Sequence, residues 1–159
     1  MLRLASLLFS LTLVSLSWAA ETADTDKVYL VAKFDVDGTT YNEVVFFQDD
    51  AIDELADCNR EIMYGRRGGW QVYTHITKAV SGFTYSTSYA CAAGAQRFSD
   101  WDRSGRAPRS QVFSVTIKNE RLEVKSHASY SQCMGWVRQR GGETSKQYCG
   151  KSAQRIVNQ

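Results

Sequence analysis

Two histidines, and a run of arginines around a tryptophan, are the groups in this chain best equipped for chemistry. His75 and His127 offer the acid and base that phosphodiester cleavage needs, one ring taking a proton while the other gives one, with an Arg or Lys on the phosphate. Between Ala93 and Ser110 hydrophobic periodicity lapses, and Trp101 lies there among Arg97, Arg103, Arg106 and Arg109. Guanidinium forks match phosphate, sulfate and carboxylate, and an indole beside them offers a face to a base, a sugar or a cation. These five residues form the candidate binding surface, and the partner they suit is an acidic protein or a polyanion. The competing reading is a basic loop that pairs with acids of its own chain.

Other chemistries fail on spacing. The chain has no G-x-S-x-G, no H-E-x-x-H and no phosphate-binding glycine loop. Asp100-Trp101-Asp102-Arg103-Ser104-Gly105 matches the first half of a calcium loop, but Gln111 stands where a bidentate Glu is required and Pro108 fills the ninth position. An aspartate turn is expected there, with no metal and no cofactor.

The elements that must position these groups start after residue 19. Arg3 followed by the apolar run Leu4 to Leu16 and the small residues Ser17 and Ala19 reads as a signal peptide over 1–19, leaving 20–159 as a single globular domain. No cysteine lies at the junction to carry a lipid anchor, and no later run reaches the length of a membrane span. A periplasmic or secreted protein is expected. In that setting Cys58, Cys91, Cys133 and Cys149 imply two disulfides. All three connectivities are open; Cys58 with Cys91 and Cys133 with Cys149 is favoured because it closes the shorter loops.

From Lys27 to Phe47 the pattern is a hairpin. Val28, Leu30, Ala32, Phe34 and Val36 alternate with Tyr29, Val31, Lys33 and Asp35, and Asp37-Gly38 supplies a two-residue turn. That loop pairs Phe34 with Tyr41, Leu30 with Val45 and Tyr29 with Phe46, and both faces are apolar at the open end, so both should be covered. An amphipathic helix follows over Asp49–Tyr64, capped by Asp49 or Asp50, with Ala51, Leu55, Cys58 and Ile62 on its inner stripe, Ile52 at the edge and Gly65 as its C′ residue. Further strands are expected over Trp70–Lys78, with His75 on one face, and over Phe83–Cys91. Two more, around Phe113–Ile117 and Leu122–Val124, join through a tight turn at Asn119-Glu120. Past Ser126 the pattern gives only a short element near Ala153–Val157, and no internal repeat is read anywhere.

Charge divides the chain. Ala20–Tyr64 holds 12 acidic and 3 basic residues, whereas Gly65–Gln159 holds 5 acidic and 15 basic. Two halves so charged can neutralise each other across the fold or leave a basic face exposed. The expected architecture is α+β: a mostly antiparallel sheet of about five to seven strands with one main amphipathic helix packed on it and two disulfides. The expected function is that of an exported, non-catalytic binding protein that inhibits, neutralises or scaffolds another protein. The alternative is a small secreted ribonuclease-like hydrolase using His75 and His127.

Overall fold

Apolar residues on both faces of the first strand demand two cores, and the chain builds them by curling its sheet into a barrel. The computed structural model describes residues 26–36, 38–69, 85–102 and 106–157. The expected signal peptide, the strand Trp70–Lys78 with His75, and Arg103 lie outside them. Strand β1 (Lys27–Val36) is flanked by β2 (Asn42–Phe47) and β3 (Tyr85–Gly94), both antiparallel to it. Strand β5 (Gln111–Lys118) is flanked in the same way by β6 (Arg121–His127) and β7 (Gln147–Ser152). The two three-stranded units meet along parallel seams, β2 with β7 and β3 with β6, which closes the barrel β1-β2-β7-β5-β6-β3. The sheet is thus mixed and closed, and among the described residues it carries two helices rather than one: α1 (Leu55–Tyr64) and α2 (Tyr130–Arg138). Two short strands, β4 (Arg97–Phe98) and β8 (Ile156–Val157), pair across one end.

The barrel interior holds Tyr29, Val31, Val44, Phe46, Phe113, Val115, Val124 and Tyr148. Phe98 closes it at the ribbon end, stacked on Phe46 at 4.0 Å and edge-on to Tyr29. The outer face of β1, with Val28, Leu30, Ala32 and Phe34, packs under α1 with Ile52, Cys58 and Ile62. Both faces of the hairpin are therefore covered. A third cluster of Val112, Cys133, Val137 and Cys149 lies beneath α2. Both disulfides take the favoured pairing, Cys58–Cys91 and Cys133–Cys149, each tying a helix to the strand that follows it.

Three local expectations are corrected. The hairpin register is shifted by two residues, Leu30 opposite Phe47 and Phe34 opposite Glu43. Thr39 causes this: its Oγ1 donates to the Val36 carbonyl and accepts the Tyr41 N–H, so the loop takes up four residues, with Gly38 at φ 77°. A two-residue shift preserves the faces, which is why the core sets survive it. Helix α1 starts later than Asp49 or Asp50. Asp49 instead accepts the Ala51 N–H in an Asx turn, Ala51 is exposed, and Ile52 takes the core position ahead of the helix. The helix begins at Glu54, whose N–H donates to Asp57. Gly65 is right-handed at φ −59°, and the chain runs on through a π-helical turn, Gly65–Gly69, instead of stopping in a left-handed cap.

An internal repeat is present, against expectation. Among the described residues each half runs strand, strand, helix, strand, and the registers coincide. Leu30 pairs with Phe47 and Cys91, just as Ser114 pairs with Lys125 and Cys149. The parallel seams coincide too, Ala93 opposite Arg121 and Lys151 opposite Glu43, each joining the residue two past the strand cysteine to the start of the other half's second strand. Helix caps Glu54 and Ser129 precede Cys58 and Cys133 by the same four residues, and the buried pairs are Cys58 with Ile62 and Cys133 with Val137. The sequence carries the trace as Ala95-Gln96-Arg97 and Ala153-Gln154-Arg155, each Gln five residues past a cysteine.

Those glutamines lock the halves together. The Gln154 side chain accepts the Phe46 N–H at 2.7 Å and donates to the Phe46 carbonyl at 2.8 Å. Gln96 does the same to Val124, at 3.0 and 2.6 Å. Phe46 and Val124 occupy equivalent places in β2 and β6, so each half clamps the other.

Candidate functional site

A duplicated scaffold makes asymmetry informative, because side chains needed only to close the barrel recur in both halves. At the ribbon end, one side carries a cleft of about 480 Å³ lined by Lys27, Tyr29, Phe47, Gln48, Arg97, Ser99, Asp100, Trp101 and Gln154. Strands β1 and β2 supply its floor, and the segment leaving β4 forms its wall. Register places Gln111, Phe113, Lys125, Ser126 and Arg155 at the matching positions of the other half. In the sequence, Asn158 and Gln159 stand at the places of Asp100 and Trp101.

Each wall group has a physical setting. Arg97 is 9% exposed, with Nη1 2.9 Å from the Ala95 carbonyl. It thus braces the turn after β3 while its guanidinium borders the cleft. Trp101 packs partly against the core beneath α1, which fixes the indole as a rigid edge. Tyr29 donates its hydroxyl to the Gln96 carbonyl at 2.7 Å. Ser99 is held by the ribbon, its N–H on the Arg155 carbonyl and its Oγ accepting the Arg155 N–H. Lys27 and Asp100 are exposed. The cleft therefore offers an aromatic face, an ammonium, a carboxylate and the Gln48 amide, bordered by the Arg97 guanidinium, a set suited to a polar, partly anionic ligand.

Of the five expected surface residues the structure brings Arg97 and Trp101 together. Arg106 is exposed on the loop beyond, and Arg103 lies outside the described residues. Arg109 is engaged elsewhere, its Nε 2.7 Å from Glu43 Oε2 at the start of β2. Burial raises the Glu43 pKa, and the Arg109 hydrogen bond and charge pull it back down in part. With Arg121 on Asp26 at 3.1 Å, this pair joins the basic half to the acidic one, so some of the charge division is spent inside the fold. The acidic start of the α1 region has local uses: Asp49 holds its Asx turn, and Asp57 pairs with Arg60 and accepts the Glu54 N–H. Asp102 Oδ2 accepts the Ala107 N–H at 2.6 Å. Among the described residues no group of three metal-type ligands converges.

His127 sits at the end of β6, its Nε2 2.9 Å from Ser114 Oγ. A serine hydroxyl on an imidazole has the form of a nucleophile and its base. Ser114, however, is 1% exposed beneath α2, so no substrate carbonyl or phosphate reaches it. Burial, and then the charge of Lys125, lowers the His127 pKa.

Sequence reasoning missed Lys27, Gln48 and Gln154 in the cleft, because they come from three distant segments. It also missed α2, for which a signal existed. Ser129 accepts the Gln132 N–H, and Gln132 reaches back to the Ala128 N–H, a Ser-x-x-Gln start followed by Cys133 and Val137 on one stripe. Comparison with protein-family models, with curated proteins and with solved structures finds no match to this chain. Two disulfides fit an oxidising compartment, and no described helix is long and apolar enough to cross a membrane.

Proposed function

We propose that this is an exported, non-catalytic binding module that recognises an acidic partner, protein or polyanion, in the cleft at the ribbon end of the barrel. The observation that carries the reading is the convergence of Lys27, Arg97 and Trp101 on one side of a duplicated barrel, where the sequence of the other half places Gln111, Arg155 and Gln159 at the matching positions. The walls are held by the disulfide-tied strands and the Gln96 and Gln154 clamps, so the cleft is formed before the ligand arrives, which reduces the ordering cost of binding. The signal-like residues 1–19 and the disulfides support export, to the periplasm or the outside. Arg106 extends the cationic surface beyond the cleft, whereas Arg109 serves the fold.

The test is a fluorescence titration of the oxidised protein with polyglutamate and RNA, repeated with Trp101→Ala and Lys27→Ala. The reading expects binding of at least one acidic probe, weakened about tenfold or more by Trp101→Ala, since a buried aromatic contact is worth roughly 1–3 kcal/mol. RNA cleavage that disappears on replacing His75 or His127 would reject the binding module in favour of a hydrolase.

A further inference from the structure

A second cationic cluster lies on the outer face of the other half. Trp136 of α2 is half-buried, and the Arg140 guanidinium lies over its ring at 3.9 Å from the centroid. Lys125 of β6 brings its ammonium to 5.8 Å from the same ring, and the His127 imidazole stands 5.8 Å away, tilted by 60°. Strand β6 and the turn after α2 thus aim three basic side chains at one indole on α2. Among the described residues no carboxylate forms an ion pair with Lys125 or Arg140.

The internal repeat shows that the fold does not require this arrangement. The matching positions of the first half are Phe47 for Lys125, Asp49 for His127 and Glu61 for Trp136, by the registers of β2 with β6 and of α1 with α2. The same architecture therefore presents an acidic and aromatic set on one side and a basic set around a tryptophan on the other. Clustering like charges costs free energy unless a counter-charge joins them.

The chemistry of the cluster selects the counter-charge. A guanidinium lying over an indole keeps its N–H donors free for tetrahedral oxyanions at its edge. The covered indole face is closed to nucleobase stacking, which disfavours single-stranded nucleic acid relative to a polymer read through its anionic groups. We propose that Trp136, Lys125, Arg140 and His127 form a docking surface for a sulfated polysaccharide, distinct from the cleft. Lys125 and Arg140 supply the standing charges. His127 adds a third below its own pKa, where it faces Lys125 on its strand, Arg140 across the indole and the neutral Ser114 on β5.

Heparin fragments titrated calorimetrically at several salt concentrations provide the test, using the intact oxidised protein. Lys125→Ser with Arg140→Ser, both at exposed positions, should weaken heparin binding at least tenfold, reduce the salt slope by about two charges and leave thermal unfolding unchanged. Lys27→Ala with Trp101→Ala in the cleft should leave heparin binding within about twofold, which separates this site from the proposed cleft. Unchanged affinity in the Lys125 and Arg140 variant overturns the proposal, as does loss of heparin binding in the cleft variant alone. A polyuridylate RNA that displaces heparin at lower concentration would overturn the ligand class.

Discussion

Replacing Gln154 by Leu removes the better-buried clamp while keeping the side chain's approximate volume. Gln154 is 2% exposed and its amide satisfies the Phe46 N–H, the Phe46 carbonyl and the Ser99 carbonyl. Ser99 is only partly buried, so water can take its place there. The two Phe46 groups lie where water does not reach, and each stranded backbone group costs about 1–3 kcal/mol. Burying the new leucine methyls recovers about 1 kcal/mol, leaving a net loss of about 3 kcal/mol at the middle of that range. For a domain of this size that lowers Tm by roughly 10–15 °C. Gln96→Leu disrupts the equivalent bonds to Val124, but Gln96 is half-buried and water can substitute, so the expected loss is about 1 kcal/mol. Urea unfolding of both oxidised variants, followed by circular dichroism with a check that the m-value is unchanged, measures the two losses. The reasoning fails if Gln154→Leu stays within about 1 kcal/mol of the parent, or if Gln96→Leu proves the more damaging.

The parallel seams and the cross-half ion pair give two more tests. A Cβ at Gly94 would stand 2.9 Å from the Leu122 carbonyl oxygen, a backbone atom of the adjoining strand, whereas one at Gly150 would meet the Val44 side chain at 3.0 Å. Thermal unfolding should therefore show Gly94→Ala losing about 2–3 kcal/mol and Gly150→Ala less, because a methyl can shift further than a paired strand. Arg109→Met leaves Glu43 buried without its guanidinium and should cost about 1–3 kcal/mol near pH 7. Glu43 already has a raised pKa, and losing Arg109 raises it further. A raised carboxyl pKa means stability that is full below the unfolded value and lost as pH rises through the folded one. The deficit of Arg109→Met should thus shrink as pH falls from neutral through the raised folded-state values and be gone below the unfolded glutamate value of about 4.3, and a deficit independent of pH would contradict the assignment.

Local physics was legible wherever a residue's neighbours in sequence decide its state. Alternation along β1 assigned Leu30 and Phe34 to one face and Tyr29 and Val31 to the other, and the two core clusters divide them the same way. The turn at Asn119-Glu120 takes φ values of 49° and 60°, and it pairs Lys118 with Arg121 as a two-residue loop must. Both disulfides follow the short-loop pairing. Misreadings arose where a side chain competed with the backbone: Thr39 lengthened the hairpin loop, and Asp49 bonded Ala51 in place of capping a helix. The repeat passed unseen although Ala-Gln-Arg occurs twice, because pattern reading weighs hydrophobic spacing and the two halves share few side chains outside their strands.

By itself the sequence determined the apolar faces of β1 and β5, the cysteine framework and the division of charge, since each depends on residue type and short-range spacing. Tertiary structure decided the rest. Closing two three-stranded units along parallel seams brings together residues a hundred or so positions apart, such as Phe46 and Gln154, and only that closure selects which arginine borders a cleft and which is consumed by Glu43. Long-range pairing of this kind is set by the sum of many weak contacts over the whole barrel, and no local window of the chain contains it.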